Sequence, residues 1–237
     1  MTLPLMPGLP PRCFALVPCA GSGRRAGFAQ PKQYERLGPQ TVVAHTLAAL
    51  AAVPRLQATL VVLSPEDTQF EACAPGFAGD RAWVERCGGD TRAATVAAGL
   101  QALAARGVAP HDWVLVHDAA RCLLRPSWVD RLIDACADDE VGGLLALPLA
   151  DTLKQSAHGR SVATLDRQEK WLAQTPQMFR LALLQRALAH AGEAVTDEAS
   201  AVETLGHAPR LVPGDAENFK LTWPGDFDLA RRLMETR

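Results

Sequence analysis

Short, uniformly apolar runs of strand length recur along this chain, and segments with helical spacing of apolar residues separate them. Four such runs lie at 13–18, 58–63, 113–117 and 142–148. A strand that is apolar at every position has both faces buried, which is typical of parallel sheets covered by helices on both sides. The alternation therefore predicts an α/β fold in which a mostly parallel, Rossmann-like sheet is flanked by helices.

Two segments depart from this pattern. Residues 149–175 are polar, carry few helix signals and contain a turn at His158-Gly159, so we predict a β-hairpin arm that projects from the sheet. A two-stranded arm is rarely stable alone, and we expect it to pack on another surface, such as a second subunit. The first 12 residues hold four prolines and are predicted to be a disordered leader, which leaves residues 13–237 as a single domain.

Composition argues against several classes of function. The 24 basic and 26 acidic residues give a net charge of −2, which disfavours broad binding of nucleic acid. The six cysteines are scattered without a C-x-x-C pair, so neither a structural zinc site nor a disulfide framework is expected. No apolar run approaches the roughly 18 to 20 residues of a membrane helix. We therefore predict a cytoplasmic protein without a membrane or nucleic-acid partner.

Glycines and cations follow the first predicted strand. Gly21 and Gly23 allow the backbone to approach a ligand closely, and Arg25 and Lys32 lie a few residues further on. Cationic side chains gathered in one loop repel each other unless an anion lies among them, which indicates a polyphosphate. The alternatives are a solvated surface loop and the dinucleotide loop of an oxidoreductase. Pro31 disfavours the second, and a Walker A loop is excluded because no G-K-[ST] follows.

Polar clusters also follow two later strands. Gly88-Gly89-Asp90 can present backbone groups to a base edge, and Thr95 lies one helical turn further on; the alternative is a simple turn with a helix cap. Asp118 ends another strand, where a carboxylate facing a polyphosphate suits Mg²⁺, although an ion pair with Arg121 is also possible. Because ligands of open parallel sheets bind at the carboxyl ends of strands, we expect these clusters to meet.

Seven motifs occur in order from about residue 13 to the C-terminus: VPCAGSGRR with PKQY, CGGDTRAATV, WVLVHDAAR, ADTLK, LDR with QTPQ, TDEASAVE, and NFKLT. This series resembles the 2-C-methyl-D-erythritol 4-phosphate cytidylyltransferases of the non-mevalonate isoprenoid pathway. The resemblance implies a nucleotidyltransferase fold, and transfer of CMP from CTP to methylerythritol phosphate with release of pyrophosphate. It also implies a requirement for Mg²⁺ and a homodimer formed through the β-arm.

The resemblance assigns roles to individual residues. It places Arg25 and Lys32 as transition-state stabilisers, and Arg167 and Lys220 as the residues that position the substrate phosphate. The sugar-phosphate pocket would be lined by Thr152, Thr175 and Thr196, the nucleotide would be bound by Ala20, Gly21, Gly23, Gly89, Asp90, Thr95 and Arg121, and Asp118 would bind the metal. In the implied homodimer, Arg167 and Thr175 would serve the neighbouring subunit's pocket.

Three other functions are compatible with parts of this pattern. A ribitol-5-phosphate cytidylyltransferase is the nearest, and a Rossmann oxidoreductase and a non-catalytic nucleotide-binding module are more distant.

The nucleophile that the resemblance implies is a phosphate monoester, which is largely dianionic at neutral pH, since its second pKa is about 6. It therefore attacks without a general base, which agrees with a sequence that shows no His–Asp or paired-carboxylate constellation.

Overall fold

The computed structural model describes residues 10–21, 30–192 and 195–236. Its strands are β1 (Cys13–Pro18), β2 (Arg36–Leu37), β3 (Gln40–Thr41), β4 (Leu56–Val62), β5 (Ala82–Glu85), β6 (Trp113–Val116), β7 (Gly142–Pro148), β8 (Leu153–Ala157), β9 (Arg160–Leu165), β10 (Trp171–Arg180) and β11 (Arg210–Pro213). Its helices are α1 (Val42–Ala51), α2 (Phe70–Cys73), α3 (Arg92–Ala105), α4 (Pro126–Cys136), α5 (Leu181–Ala191), α6 (Glu198–Glu203) and α7 (Pro224–Glu235), with a 3₁₀ helix at Lys32–Tyr34.

Seven strands form one sheet in the order β11-β7-β10-β6-β1-β4-β5. Strand β1 is parallel to β4 and β6, β4 is parallel to β5, and β11 is parallel to β7. Strand β10 alone among the paired strands of this sheet runs antiparallel, to both β6 and β7. The predicted α/β class with a mostly parallel sheet is confirmed.

Helices cover both faces of the sheet, and alternate residues of β1 point into the two cores. Ala15 and Val17 belong to a core with α1 and α4, whereas Phe14 and Leu16 belong to a core with α3, α5 and α6. Helix α3 lies especially close to the sheet, because a Cβ added at Gly99 would come within 2.6 Å of a methyl carbon of Leu16. This double burial explains why the strands are apolar at every position.

Strand β10 is the main departure from the sequence-based expectation. Residues 171–175 were expected to belong to the polar arm. Instead they belong to β10, and α5 follows this strand at Leu181. The strand is hard to recognise because Gln174, Thr175 and Gln177 are buried polar residues that form hydrogen bonds around the candidate site.

Strands β8 and β9 pair antiparallel in a sheet of their own, within the segment where an arm was predicted. Most of their residues are exposed, and Val162 and Leu165 present apolar side chains to solvent. Leu172, at the adjoining end of β10, is 53% exposed. None of the helices described is long and apolar enough to cross a membrane.

Candidate active site

Two cavities adjoin at the carboxyl ends of the parallel strands. The first, of about 360 Å³, lies beyond β1, β5 and β6, and its lining includes Ala20, Gly21, Lys32, Gly89, Asp90, Thr95, Asp118 and Lys220. The second, of about 270 Å³, is lined in part by Arg121, Thr175 and Thr196. Arg92, Asp118 and Lys220 line both cavities. The structure therefore brings together most of the site residues predicted from the sequence.

Two of the predicted residues, Gly23 and Arg25, lie outside the described residues, and two others do not join this group. Thr152 and Arg167 are exposed, flank the β8–β9 hairpin and line neither cavity. The guanidinium of Arg167 donates a hydrogen bond to the backbone carbonyl of Ala150. The arm of one chain thus holds both residues away from that chain's own cavities.

The wall of the first cavity is formed by closely apposed backbone. A Cβ added at Gly88 would lie 2.5 Å from the Cβ of Ala20, so the loops after β1 and β5 can meet only if this position is glycine. The hydroxyl of Thr95 donates to the carbonyls of Gly89 and Thr91 at 3.2 and 2.9 Å. Thr95 is buried, and these bonds fix the loop against the start of α3. Its observed contribution is therefore to the shape of the cavity wall.

The 3₁₀ helix carries Lys32 into the first cavity. The Lys32 ammonium donates to the carbonyl of Leu221 at 2.5 Å, and so connects this helix to the segment that carries Lys220. The neighbouring Gln33, which was not identified from the sequence, donates to the carbonyls of Gly21 and Cys19 at 2.9 and 3.3 Å. Gln33 thereby fixes the segment that follows β1, as far as Gly21.

Cationic side chains surround the carboxylate of Asp118. Its Oδ1 lies 2.9 Å from Nε of Arg92, and its Oδ2 lies 3.0 Å from the Lys220 ammonium and 3.5 Å from Nε of Arg121. Burial alone would raise the pKa of Asp118, but Arg92, Lys220 and Arg121 hold it far below its usual range. The carboxylate is therefore ionised at neutral pH, and the ion pair with Arg121, the alternative considered from the sequence, is one of three.

The backbone at Asp118 is supported by a buried histidine and threonine. Asp118 N–H donates to the Thr175 hydroxyl at 3.1 Å, and that hydroxyl lies 3.0 Å from Nδ1 of His117. Burial lowers the pKa of His117 to about 4, so the ring is neutral. Its Nε2 lies 3.2 Å from the carbonyl of Arg121 and must carry the proton, which leaves Nδ1 to accept from Thr175.

This arrangement corrects the expectation for Thr175. Thr175 is only 3% exposed, and its hydroxyl forms hydrogen bonds with Asp118 N–H and with the ring of His117 in the same chain. Thr175 therefore supports its own chain's Asp118, instead of reaching the pocket of a neighbouring subunit. The error arose because β10 was placed in the projecting arm, whereas its central part lies inside the sheet.

The segment that carries Lys220 is anchored by polar contacts. Arg121 donates to the carbonyl of Asn218 at 2.6 Å, and the Asn218 amide donates to the carbonyl of Thr175 at 2.8 Å. Leu221 N–H donates to the carbonyl of Ala120 at 2.9 Å. Lys220 is thus fixed between the loop after β6 and the 3₁₀ helix, although it is distant from both in sequence.

Arg92 and Glu198 are two further site residues that sequence reasoning did not assign. The Arg92 guanidinium donates to both carboxylate oxygens of Glu198, at 2.7 and 3.0 Å, in addition to Asp118. Glu198 is 1% exposed, within a helix otherwise rich in small residues. The available signal was an acidic residue among buried alanines, since a buried carboxylate requires a cationic partner.

Asp118 is also a suitable ligand for a divalent metal. Mg²⁺ is commonly held by one or two carboxylates together with substrate phosphate oxygens. Among the described residues no three His, Cys, Asp or Glu side chains form a metal-binding group. The ionised carboxylate of Asp118, at the boundary of the two cavities, fits a metal that enters with a polyphosphate.

Cys19 lies beside the cavity but is not a reactive thiol. It is 3% exposed, and burial raises its pKa to about 12. Since the thiolate is the nucleophilic form, Cys19 is unreactive at neutral pH.

Comparisons with known proteins identify the family. A family model described as 2-C-methyl-D-erythritol 4-phosphate cytidylyltransferase matches residues 13–236. A protein of that name from Burkholderia multivorans is 51% identical over 94% of this chain and 96% of its own length. The bifunctional enzyme IspD/IspF of Albidiferax ferrireducens is 59% identical over 96% of this chain, which spans 54% of that longer protein.

Solved structures show the same relationship. A structure described as 4-diphosphocytidyl-2C-methyl-D-erythritol synthase has a TM-score of 0.85 and 44% identity, over 96% of this chain and all of that one. The Francisella tularensis 2-C-methyl-D-erythritol 4-phosphate cytidylyltransferase has a TM-score of 0.80 and 31% identity, over 93% and 99% of the two chains. On sequence, fold and the arrangement of its polar loops, this chain belongs to the 2-C-methyl-D-erythritol 4-phosphate cytidylyltransferase family.

Proposed function

We propose that this enzyme transfers CMP from CTP to 2-C-methyl-D-erythritol 4-phosphate, forming 4-diphosphocytidyl-2-C-methyl-D-erythritol and pyrophosphate in the non-mevalonate isoprenoid pathway. One observation carries the proposal beyond family membership: two adjoining cavities share Arg92, Asp118 and Lys220 at their boundary. The first cavity, bordered by close-packed loop backbone and a lysine, takes the nucleotide. The second, smaller and polar, takes the sugar phosphate. The two reactants then meet at the shared residues.

The reaction needs positioning and cancellation of charge. A phosphate oxygen of methylerythritol phosphate attacks the α-phosphorus of CTP, a new P–O bond forms, and the bond to the departing pyrophosphate breaks. Both reactants are anions, so fixed positive groups around the reacting phosphates lower the barrier. Lys32 acts on the nucleotide side together with Arg25. Lys220 and Arg121 hold the sugar phosphate.

Asp118 is the residue that would hold Mg²⁺. The bound ion supplies positive charge to the nucleotide phosphates. The three cations around Asp118 keep its carboxylate ionised, which is the form that binds a metal. His117 and Thr175 fix the backbone from which that carboxylate projects.

The assembly we propose is a cytoplasmic homodimer formed through the β8–β9 arm. Exposed apolar side chains at Val162 and Leu165 of the arm, and at Trp171 and Leu172 of the adjoining end of β10, support a packed partner surface there. A second subunit would also bring Thr152 and Arg167 to a sugar-phosphate cavity, which they do not line in their own chain.

The deciding experiment measures pyrophosphate release when the full chain is mixed with CTP, Mg²⁺ and methylerythritol phosphate. We expect rapid release that depends on all three, and much slower release with ribitol 5-phosphate as the matched control substrate. Absence of release with methylerythritol phosphate, or faster turnover of ribitol phosphate, would overturn the proposal. Lys32→Ala and Arg25→Ala should each lower kcat by ~10²-fold or more, because each removes a fixed charge at the reacting phosphates.

The proposed arm contribution has its own test. Arg167→Ala should raise the KM for methylerythritol phosphate far more than the KM for CTP, because Arg167 would contact only the sugar phosphate. Equal changes in both KM values would remove Arg167 from that pocket.

A further inference from the structure

An ion pair between two helices lies behind the boundary of the two cavities. Arg92 begins α3 and Glu198 begins α6, and the two side chains form a two-pronged contact through Nη1–Oε1 at 2.7 Å and Nη2–Oε2 at 3.0 Å. The third contact of the same guanidinium is from Nε to Oδ1 of Asp118, at 2.9 Å. A planar guanidinium in a bidentate contact with a carboxylate has little freedom to rotate. Glu198 therefore determines the direction of Nε of Arg92.

The contacts continue to the residue proposed to hold the sugar phosphate. With Oδ1 of Asp118 occupied by Arg92, the other oxygen, Oδ2, lies 3.0 Å from the Lys220 ammonium. Glu198, Arg92, Asp118 and Lys220 therefore form one continuous series of charge-assisted contacts. The series alternates in sign, so each member has an oppositely charged neighbour.

Holding α6 in place does not account for this pair. Gln177 of β10 accepts from Ala199 N–H at 2.7 Å and donates to Asp197 at 2.9 Å, which fixes the start of α6. Ala201 and Val202 are fully buried in the same core as α3 and α5. Burial of a charged carboxylate opposes its ionisation and raises the pKa of Glu198, with Arg92 acting in the other direction. An apolar residue would pack α6 without this penalty.

We propose that Glu198 and Arg92 are positioning residues for the transferase reaction. Glu198 orients Arg92, Arg92 occupies one oxygen of Asp118, and Asp118 thereby holds the Lys220 ammonium where it meets the sugar phosphate. This inference rests on the proposed function, because Lys220 has a sugar phosphate to hold only if the reaction is the one described above. Glu198 itself touches neither reactant.

The test is steady-state kinetics of Glu198→Gln, which keeps the shape of the side chain and removes its charge. We expect kcat/KM for methylerythritol phosphate to fall about tenfold, with the KM for CTP changed less than twofold. Arg92→Lys, which keeps the charge but loses the two-pronged contact, should show the same imbalance between substrates. The matched control is Glu71→Gln, which breaks an arginine pair with Arg86 at 2.5 Å on the exposed surface and should leave both KM values unchanged.

A double variant separates positioning from general loosening. If Glu198 acts through Lys220, then Glu198→Gln should cost almost nothing further in a Lys220→Ala background. A full tenfold loss in that background, equal increases in both KM values, or unchanged kinetics in Glu198→Gln would overturn the inference while the proposed function stands. A wild-type protein that releases no pyrophosphate would overturn the proposed function, and this inference with it.

Discussion

Two buried aspartates stand at opposite ends of strand β6 and are held in different ways. Asp112, before the strand, is 1% exposed and accepts backbone N–H bonds from Arg12 and Ala109, both at 2.8 Å, as well as an ion pair from the Arg12 guanidinium at 2.6 Å. Asp118, after the strand, is 7% exposed and faces the side chains of three cations.

The difference separates a carboxylate that holds the fold from one that serves a ligand. Backbone N–H groups cannot turn away from Asp112 without moving the chain, so its contacts are permanent features of the fold. The Lys220 ammonium can turn from Asp118 toward an arriving phosphate, since it is carried by a flexible side chain that lines both cavities. Both carboxyl groups have a lowered pKa, so ionisation alone does not distinguish the two roles. What distinguishes them is whether the partners can move.

The largest expected effect is on activity at Asp118. Asp118→Asn should lower kcat/KM by ~10²-fold or more, because the amide neither binds a metal strongly nor holds Lys220. Asp112→Asn, the matched change at the other end of the strand, should stay within about threefold of wild type at 25 °C. Pyrophosphate release measures both. Comparable losses of kcat/KM in the two variants would show that the loss at Asp118 also arises from reduced stability. That result would contradict the proposed difference between the two ends of the strand.

Asp118 could be identified from the sequence because it lies just beyond β6, a strand of four apolar residues, where α/β folds place their ligands. Its partners could not, for a physical reason. Arg92 and Glu198 are 106 residues apart and meet only because α3 and α6 pack on the same face of the sheet. The local pattern of apolar residues predicts the strands and the helices around them. It does not predict which buried charged side chains form pairs between helices.

The same limit applies to strand β10. Gln174, Thr175 and Gln177 in this strand are polar but buried. From sequence alone, their polarity predicts a surface segment, because the hydrogen-bond partners that permit burial are not visible in the sequence. The prediction succeeded where burial follows from hydrophobicity. It failed where burial depends on a specific polar partner, and such residues concentrate at the site.

A smaller effect is expected on stability at Asp112. Asp112→Asn should lower the free energy of unfolding by about 2 kcal/mol, because the amide cannot accept all the bonds that Arg12 and Ala109 donate to the carboxylate. Urea unfolding at pH 7 measures the change. Asp134→Asn is the matched control: it breaks an exposed pair with Arg55 and should change stability by less than about 0.5 kcal/mol. A loss below that value at Asp112 would show that its buried contacts are no stronger than those on the surface.

The smallest effect is the pH dependence of that difference. Burial would raise the pKa of Asp112, but hydrogen bonds from Arg12 and Ala109 lower it below its ordinary value. A carboxyl group with a lowered folded-state pKa stabilises the fold fully above its unfolded pKa, about 3.9, and loses that contribution as pH falls through the folded value.

The free energies of unfolding of wild type and Asp112→Asn should therefore differ by the same amount at pH 7 and pH 5. This difference should become smaller below about pH 4. Urea titrations at pH 7, 5, 4 and 3.5 resolve this trend. The carboxylate of Asp118 titrates in the same acidic direction but is retained in both chains, so their difference isolates the amino end of β6. A gap that narrows between pH 7 and pH 5 would mean that the Asp112 carboxyl is not held ionised by its backbone partners. The distinction between a fixed and a movable set of partners would then lose its physical basis.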